Sequence, residues 1–193
     1  MRKLVVSEFV SLDGVMEDPG GAEGFDRGGW AFKFDRGPEG DRFKLDEVLE
    51  SDVLLLGRVT YDGFAAAWPT VTDEVGFADQ MNGMAKVVVS TTLQNPAWNN
   101  STVVKDRVPE AVRELKEQPG GNILVAGSRT LVRTLIEHGL VDEYRLMVFP
   151  IVLGGGKRLF PDTDAPTGLE LVDSKVVGDG IVILTYRRAA GAE

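Results

Sequence analysis

Two stretches carry the same design: Leu54-Leu55-Leu56-Gly57-Arg58-Val59-Thr60 and Leu124-Val125-Ala126-Gly127-Ser128-Arg129-Thr130. In each, a short apolar run of buried-strand character breaks at a glycine and passes into a helical pattern that opens with hydroxyl and arginine residues. Such a junction leaves the first helical N–H groups without partners at the positive end of the helix dipole, which is the makings of an anion site. Two of them, flanked by Arg58 and Arg129, point to a ligand with more than one phosphate, and a nucleotide is the natural candidate. Each junction alone has a plain structural alternative. Single-glycine strand–helix turns are common, Thr60 and Ser128 are also helix-capping residue types, and a surface arginine is often merely solvated.

Outward from these junctions, hydrophobic periodicity predicts eight strands: Lys3–Phe9, Asp52–Leu56, Lys86–Ser90, Ser101–Val104, Asn122–Ala126, Glu143–Pro150, Leu169–Val177 and Gly180–Arg188. Several inner runs are nearly unbroken Val/Leu/Ile, the pattern of parallel strands covered on both faces. Helices are predicted over Asp41–Glu50, Pro109–Glu117 and Ser128–His138, with a shorter one from Gly57 through Ala65–Ala67 that closes at Trp68-Pro69. The last two strands flank Gly178-Asp179-Gly180 and read as an antiparallel hairpin. The fold class is therefore α/β, a three-layer αβα sandwich around a mixed, mostly parallel sheet. One domain is expected over 1–188, with 189–193 as a frayed tail.

Composition narrows the chemistry. The 193 residues carry a formal net charge of −9, one histidine and no cysteine. Acidity disfavours nucleic acid as a partner, since that requires a basic face. Without cysteine there are no disulfides, no thiolate catalysis and no Cys-ligated metal centre. With His138 alone, multi-histidine metal sites fall away too, so no metal is expected, and carboxylates become the main candidates for proton transfer. His138 itself sits in a last helical turn, where histidine suits the dipole, and is read as structural. No apolar run reaches the roughly 18 residues of a membrane span, and the start of the chain lacks a signal-peptide pattern; the expected location is the cytoplasm.

Other segments hold candidate site residues. Asp18–Gly40 is rich in glycine and carries Phe25, Trp30, Phe32 and Phe34. Long loops in compact domains are usually functional or disordered, so this one reads either as a cover whose rings, Trp30 among them, pack on a flat ligand, or as a loop pinned to the core by its aromatics. Ser90-Thr91-Thr92 ends a strand where hydroxyls bind a ribose or simply make a turn. In Ser11-Leu12-Asp13-Gly14, Asp13 is a turn residue or a pocket carboxylate that binds a heterocycle or delivers a proton. Leu153-Gly154-Gly155-Gly156-Lys157-Arg158 lacks the P-loop spacing and is either a backbone approach to a ligand or a plain turn.

Taken in order, Ser11-Leu12-Asp13-Gly14, Gly57-Arg58-x-Thr60, Val125-Ala126-Gly127-Ser128, Gly139-Leu140-Val141-Asp142-Glu143 and Pro150-Ile151-Val152-Leu153-Gly154-Gly155-Gly156 with Leu159-Phe160 resemble the reductase domain of the bifunctional riboflavin-biosynthesis deaminase-reductase. That domain is a relative of dihydrofolate reductase, and the resemblance runs over nearly the whole chain. It implies an eight-stranded dihydrofolate-reductase-like sheet, NADPH as cofactor and often a homodimer. By resemblance Gly57, Arg58 and Thr60 take cofactor phosphates, Ser90 and Thr91 the adenosine side, and Gly127, Ser128, Arg129 and Thr130 the pyrophosphate. Asp13 falls at the substrate edge of the nicotinamide pocket. Counting back from Gly57, Asp41 falls where dihydrofolate reductase keeps its pterin-binding carboxylate. Trp30, Gly154 and Gly155 are the expected substrate contacts. The implied activity is reduction of a flat heterocycle, nominally the ribosylaminouracil phosphate of riboflavin biosynthesis, with dihydrofolate second. The rivals are a nucleotide- or pterin-binding protein without turnover and a fold-only dimer with structural glycine turns. Two departures are visible: these residues, without cysteine, could not supply the zinc site of the deaminase domain, and the usual glycine pair of the pyrophosphate turn is Ala126-Gly127.

Overall fold

Near-continuous runs of Val, Leu and Ile can be buried only where both faces of a sheet are covered, and the computed structural model, which describes residues 1–160 and 166–189, places them there. The strands are β1 (Leu4–Ser11), β2 (Ser51–Gly57), β3 (Ala85–Val89), β4 (Ser101–Val104), β5 (Asn122–Ala126), β6 (Glu143–Phe149), β7 (Leu169–Val177) and β8 (Ile181–Arg188). They form one sheet in the order β4-β3-β2-β5-β1-β6-β8-β7. All pairs from β4 to β6 are parallel, with Leu54 beside Leu124 and Leu4 beside Ile123; β8 then runs antiparallel to β6, and β7 to β8. The α/β mixed sheet and the C-terminal hairpin expected from the sequence are both present.

The helices are α1 (Gly37–Leu49), α2 (Arg58–Ala67), α3 (Phe77–Gly83), α4 (Val108–Glu117) and α5 (Arg129–Glu137). Strand residues alternate between two cores, as a two-residue side-chain period demands. Leu4, Val6, Val53, Leu55, Ile123 and Val125 face Val112 of α4 and Leu131, Val132 and Leu135 of α5. Val5, Leu54, Leu56, Val88 and Leu124 face Val48 of α1, Tyr61 of α2 and Met81 and Met84 around α3. A third cluster joins Trp30 and Phe149 to Val177, Ile181 and Ile183 of the hairpin.

The larger differences from expectation lie in β1, α1 and α3. β1 continues two residues past Phe9, and α1 begins at Gly37 rather than Asp41, because Pro38 with its fixed φ suits a first helical turn. The seven-residue α3 has no sequence counterpart among the predicted helices, being too short for a periodic signal. The hairpin turn folds back onto the start of α1: Asp179 N–H donates to Asp35 O (2.9 Å) and Asp35 N–H to Asp179 Oδ2 (2.8 Å). Of the expected tail, 190–193 lie outside the described residues.

Candidate functional site

The chain leaves β1 through α1 toward β2 on one face of the sheet, and leaves β5 through α5 toward β6 on the other face. The carboxyl ends of the adjacent strands β5 and β1 therefore flank the point where the winding reverses, the usual crevice for a ligand in an open α/β sheet. Both glycine junctions lie at this edge. Because β2 and β5 are neighbours, the junctions abut rather than standing at opposite ends of the crevice.

Each junction is completed by residues of the other. Ser128 Oγ accepts from the Gly57 N–H (2.8 Å) and donates to Thr60 Oγ1 (2.7 Å). A Cβ at Gly57 would lie 2.6 Å from Ser128 Oγ, and one at Gly127 2.8 Å from Thr60 Oγ1. Glycine is needed at both places to let the turns approach. Two expectations change accordingly. Ser128 occupies the N-cap position of α5, but its hydroxyl serves the neighbouring junction, and Thr60 is a third-position residue inside α2 rather than its cap. Neither α2 nor α5 carries a side-chain cap, so the first-turn amides of both keep the capacity to bind an anion.

The arginines flank the junctions on either side. Arg58 Nε–H is shared between the two carboxylate oxygens of Asp62 (2.9 and 2.7 Å), and its NH1 donates to Thr92 Oγ1 (3.3 Å). That contact draws in the Ser90-Thr91-Thr92 turn, where the buried Ser90 Oγ accepts from the N–H groups of Thr92 and Leu93, while Thr91 is exposed. Arg129 Nε points the other way and donates to Arg158 O (3.3 Å); Thr130 is exposed on the first turn of α5.

Glu8 of β1 is a residue that motif reading passed over. Its side chain crosses from β1 to β5, where Oε1 accepts from the Gly127 N–H (2.9 Å). It is 6% exposed, and burial pushes its pKa up to about 8 against the opposing pull of that hydrogen bond. The signal was present: an acid in the middle of Leu4-Val5-Val6-Ser7-Glu8-Phe9-Val10, a strand otherwise suited to burial on both faces. On the opposite face of β1, Ser7 Oγ donates to Glu47 Oε2 (2.9 Å), and Lys44 Nζ bonds both Ser7 Oγ (2.7 Å) and Glu47 Oε2 (2.6 Å), which fixes α1 on the sheet.

A cavity of about 220 Å³ opens at the same edge, lined by Phe9 of β1, Phe149 of β6, Phe32, Phe34, Arg36 and Asp41 among others. This is small beside the roughly 300–1,000 Å³ of drug-sized ligand sites and has room for a single planar ring. Asp41 stands at its rim, 63% exposed and paired with Arg36 at 2.8 Å. Trp30 requires a correction. It is fully buried, edge-on to Phe149, with its indole N–H donating to Glu17 O (2.9 Å), so it pins the glycine-rich loop to the core and has no surface to offer a ligand. Asp18 fixes the same loop through the N–H groups of Glu23 and Phe25.

Asp13 also departs from the proton-delivering role. Its carboxylate accepts from Ser11 Oγ (2.7 Å) and from the N–H groups of Leu153 (3.0 Å) and Gly154 (2.8 Å). The Ser11 hydroxyl, followed by these amides, holds its pKa down to about 2. It is an ionised clamp that ties the first loop to the Gly154–Gly156 turn, as its turn reading anticipated. Gly154 and Gly155 lie beneath Arg27, which donates to Leu153 O, and neither lines the cavity. His138 ends α5, with Nδ1 against Thr134 O (2.9 Å).

Sheet order, winding and site edge define the dihydrofolate-reductase-like α/β fold. Enterococcus faecalis dihydrofolate reductase complexed with NADP(H) superposes with a TM-score of 0.64 at 16% identity, over 97% of each chain. A riboflavin biosynthesis protein of Shewanella sp. PV-4 gives 0.76 at 22% identity, covering 97% of this chain and 99% of that one. A pyrimidine reductase-like protein of Corynebacterium diphtheriae gives 0.66 at 13%, covering 98% and 92%. The chain matches the RibD C-terminal domain over residues 2–183 and belongs to that family. Bacillus subtilis (strain 168) has two similar chains, both uncharacterized. YyaP is 31% identical over 188 residues, 96% of this chain and 94% of its own; YwjB is 28% identical over 188 residues, 97% and 99%.

Proposed function

We propose that this protein is an NADPH-dependent reductase of a flat heterocyclic substrate, nominally the ribosylaminouracil phosphate of riboflavin biosynthesis. One observation carries the reading: four consecutive strand ends present, in order, the β2 junction, the β5 junction, the buried acid of β1 and the aromatic cavity between β1 and β6. At about 4.8 Å per strand this spans roughly 14 Å, a length in keeping with one extended ligand that has phosphates at one end and a ring at the other. Family membership and the reductase fold support the same class of activity.

The residues fit such a cofactor. The uncapped first turns of α2 and α5 suit phosphate oxygens, with Gly57 and Gly127 keeping the backbone open and Thr60 and Ser128 fixing the two turns together. Arg58 pairs with phosphate once it leaves Asp62. Arg129 and Thr130 flank the second turn, and Ser90 and Thr91 lie on the adenosine side. When bound, NADPH supplies the hydride. The chain supplies orientation and exclusion of water: Phe9, Phe32 and Phe34 enclose the ring over a floor that the buried Phe149 holds in place, and Arg36 and Asp41 bond its edge heteroatoms. Asp13 keeps the Gly154 turn in place, and the proton that balances the hydride comes from Asp41, or from water it holds, at the cavity rim.

The test is a fluorescence titration of the purified protein with NADPH, followed by cofactor oxidation across dihydrofolate, the ribosylaminouracil phosphate and quinones. Saturable binding with oxidation by one heterocycle is expected. Saturable binding without oxidation by any of them would favour a nucleotide-binding protein on this fold, and no binding at millimolar NADPH would leave only a structural role for the glycine turns.

A further inference from the structure

A carboxyl group directly behind a phosphate-binding turn is an anomaly, because a carboxylate there repels the ligand. Glu8 stands in that position. It shares the Gly127 amide with the start of α5, and among the described residues its Oε1 has that single partner while its Oε2 has none. The Oε2 atom is also not among the fully enclosed unpartnered atoms, so it keeps some solvent contact beside the Gly127 turn. The amide bond consumes one oxygen, and the other is left to hold a proton and aim it.

Resting on the nucleotide reading above, we propose that Glu8 is a ligand-facing acid of the anion site: it donates a proton from Oε2 in a hydrogen bond to a diphosphate oxygen seated on the Gly127 turn, so that binding requires the neutral carboxyl. The charged groups acting on it are Lys44 and Glu47 of α1 and Glu23 of the glycine-rich loop. Lys44 favours ionisation, but its ammonium is already held by Glu47 and Ser7. Glu47 and Glu23 oppose ionisation, and burial outweighs all three, leaving a group that titrates near pH 8. A second negative charge on the turn raises that value further, so Glu8 takes up a proton as the ligand binds.

The experiment measures NADPH affinity by fluorescence from pH 7 to pH 9 in wild type and in Glu8→Gln, which keeps an acceptor for the Gly127 amide. Wild-type affinity is expected to fall about ten-fold over that range, and Glu8→Gln to stay flat near the wild-type value at pH 7. Calorimetry of wild type at pH 9, in buffers of differing ionisation enthalpy, needs no variant and is expected to show uptake of about one proton; phosphate groups, with a second pKa near 6, do not contribute there. Inorganic diphosphate serves as a probe without the nicotinamide. If it binds with the same Glu8-dependent pH profile while NADPH does not bind, this inference stands and the reductase reading falls. If NADPH binds with a profile unchanged by Glu8→Gln, or without proton uptake, this inference is overturned and the reductase reading stands. Failure of both probes to bind overturns both.

Discussion

The β2–α2 and β5–α5 junctions are near twins in sequence and different in physics. At the first, Gly57 has ordinary extended dihedrals (φ −82°, ψ 168°), and the chain enters α2 without strain. At the second, Gly127 (φ +76°) and Ser128 (φ +70°) are both left-handed, a costly conformation for the serine. The first junction's amide is satisfied by a hydroxyl from the second, and the second's by a buried acid from β1. A strand–glycine–helix motif thus specifies where a turn falls, while its strain and its chemistry come from whichever strand lies beside it.

The contrast is sharpest in stability. Gly127→Ala forces a left-handed alanine and sets its Cβ 2.8 Å from Thr60 Oγ1 and 3.0 Å from Thr60 Cγ2. Backbone strain of about 1–3 kcal/mol adds to overpacking of about 1–3 kcal/mol. Gly57→Ala meets Ser128 at 2.6 and 2.8 Å but incurs only the second cost. Denaturant unfolding is expected to rank Gly127→Ala well below Gly57→Ala. Equal losses would show that the left-handed turn carries no strain.

Next in size is the acid. With a folded pKa near 8 against 4.5 for the unconstrained group, the folded chain holds a proton that the unfolded chain has lost between those values. Stability therefore falls as pH rises from about 4.5 to about 8 and levels off above. Glu8→Gln removes that contribution, so the variant is expected to match wild type near pH 4 and exceed it by a few kcal/mol at pH 9. Parallel curves for the two proteins would mean that Glu8 ionises freely in the folded state.

The smallest effect is the hydroxyl bridge. Ser128→Ala loses the bonds to Gly57 and Thr60 and is expected to cost about 1–3 kcal/mol. Ser128→Gly loses the same bonds but relieves the left-handed φ, so it is expected to be the milder change. A serine-to-glycine loss as large as serine-to-alanine would remove strain from the comparison.

Both junctions, all eight strands to within two residues and the hairpin were legible from local pattern, because periodicity and turn glycines are local facts. What escaped depended on neighbours that are distant in sequence. Trp30 carried two readings, a ring for a flat ligand or an anchor of its loop to the core, and β6 decides for the anchor by bringing Phe149 against it. Asp13 carried two readings, and only the arrival of Leu153 and Gly154, some 140 residues on, decides between proton delivery and a clamp. Ser128 was recognisable as an N-cap position, but its service to Gly57 follows from β2 lying beside β5. Glu8 stood out as an acid in an apolar strand, and its meaning depends on the β1–β5 pairing.

The two unlike junctions are proposed to serve one ligand. The most direct measurement is the NADPH dissociation constant of wild type, Arg58→Ala, Arg129→Ala and the double variant at pH 7, by nicotinamide fluorescence. Saturable wild-type binding is expected, with weakening of about ten-fold by each substitution as a charged hydrogen bond is lost and near-additive weakening in the double variant. No binding at millimolar NADPH, or affinity untouched by either arginine, would contradict that proposal.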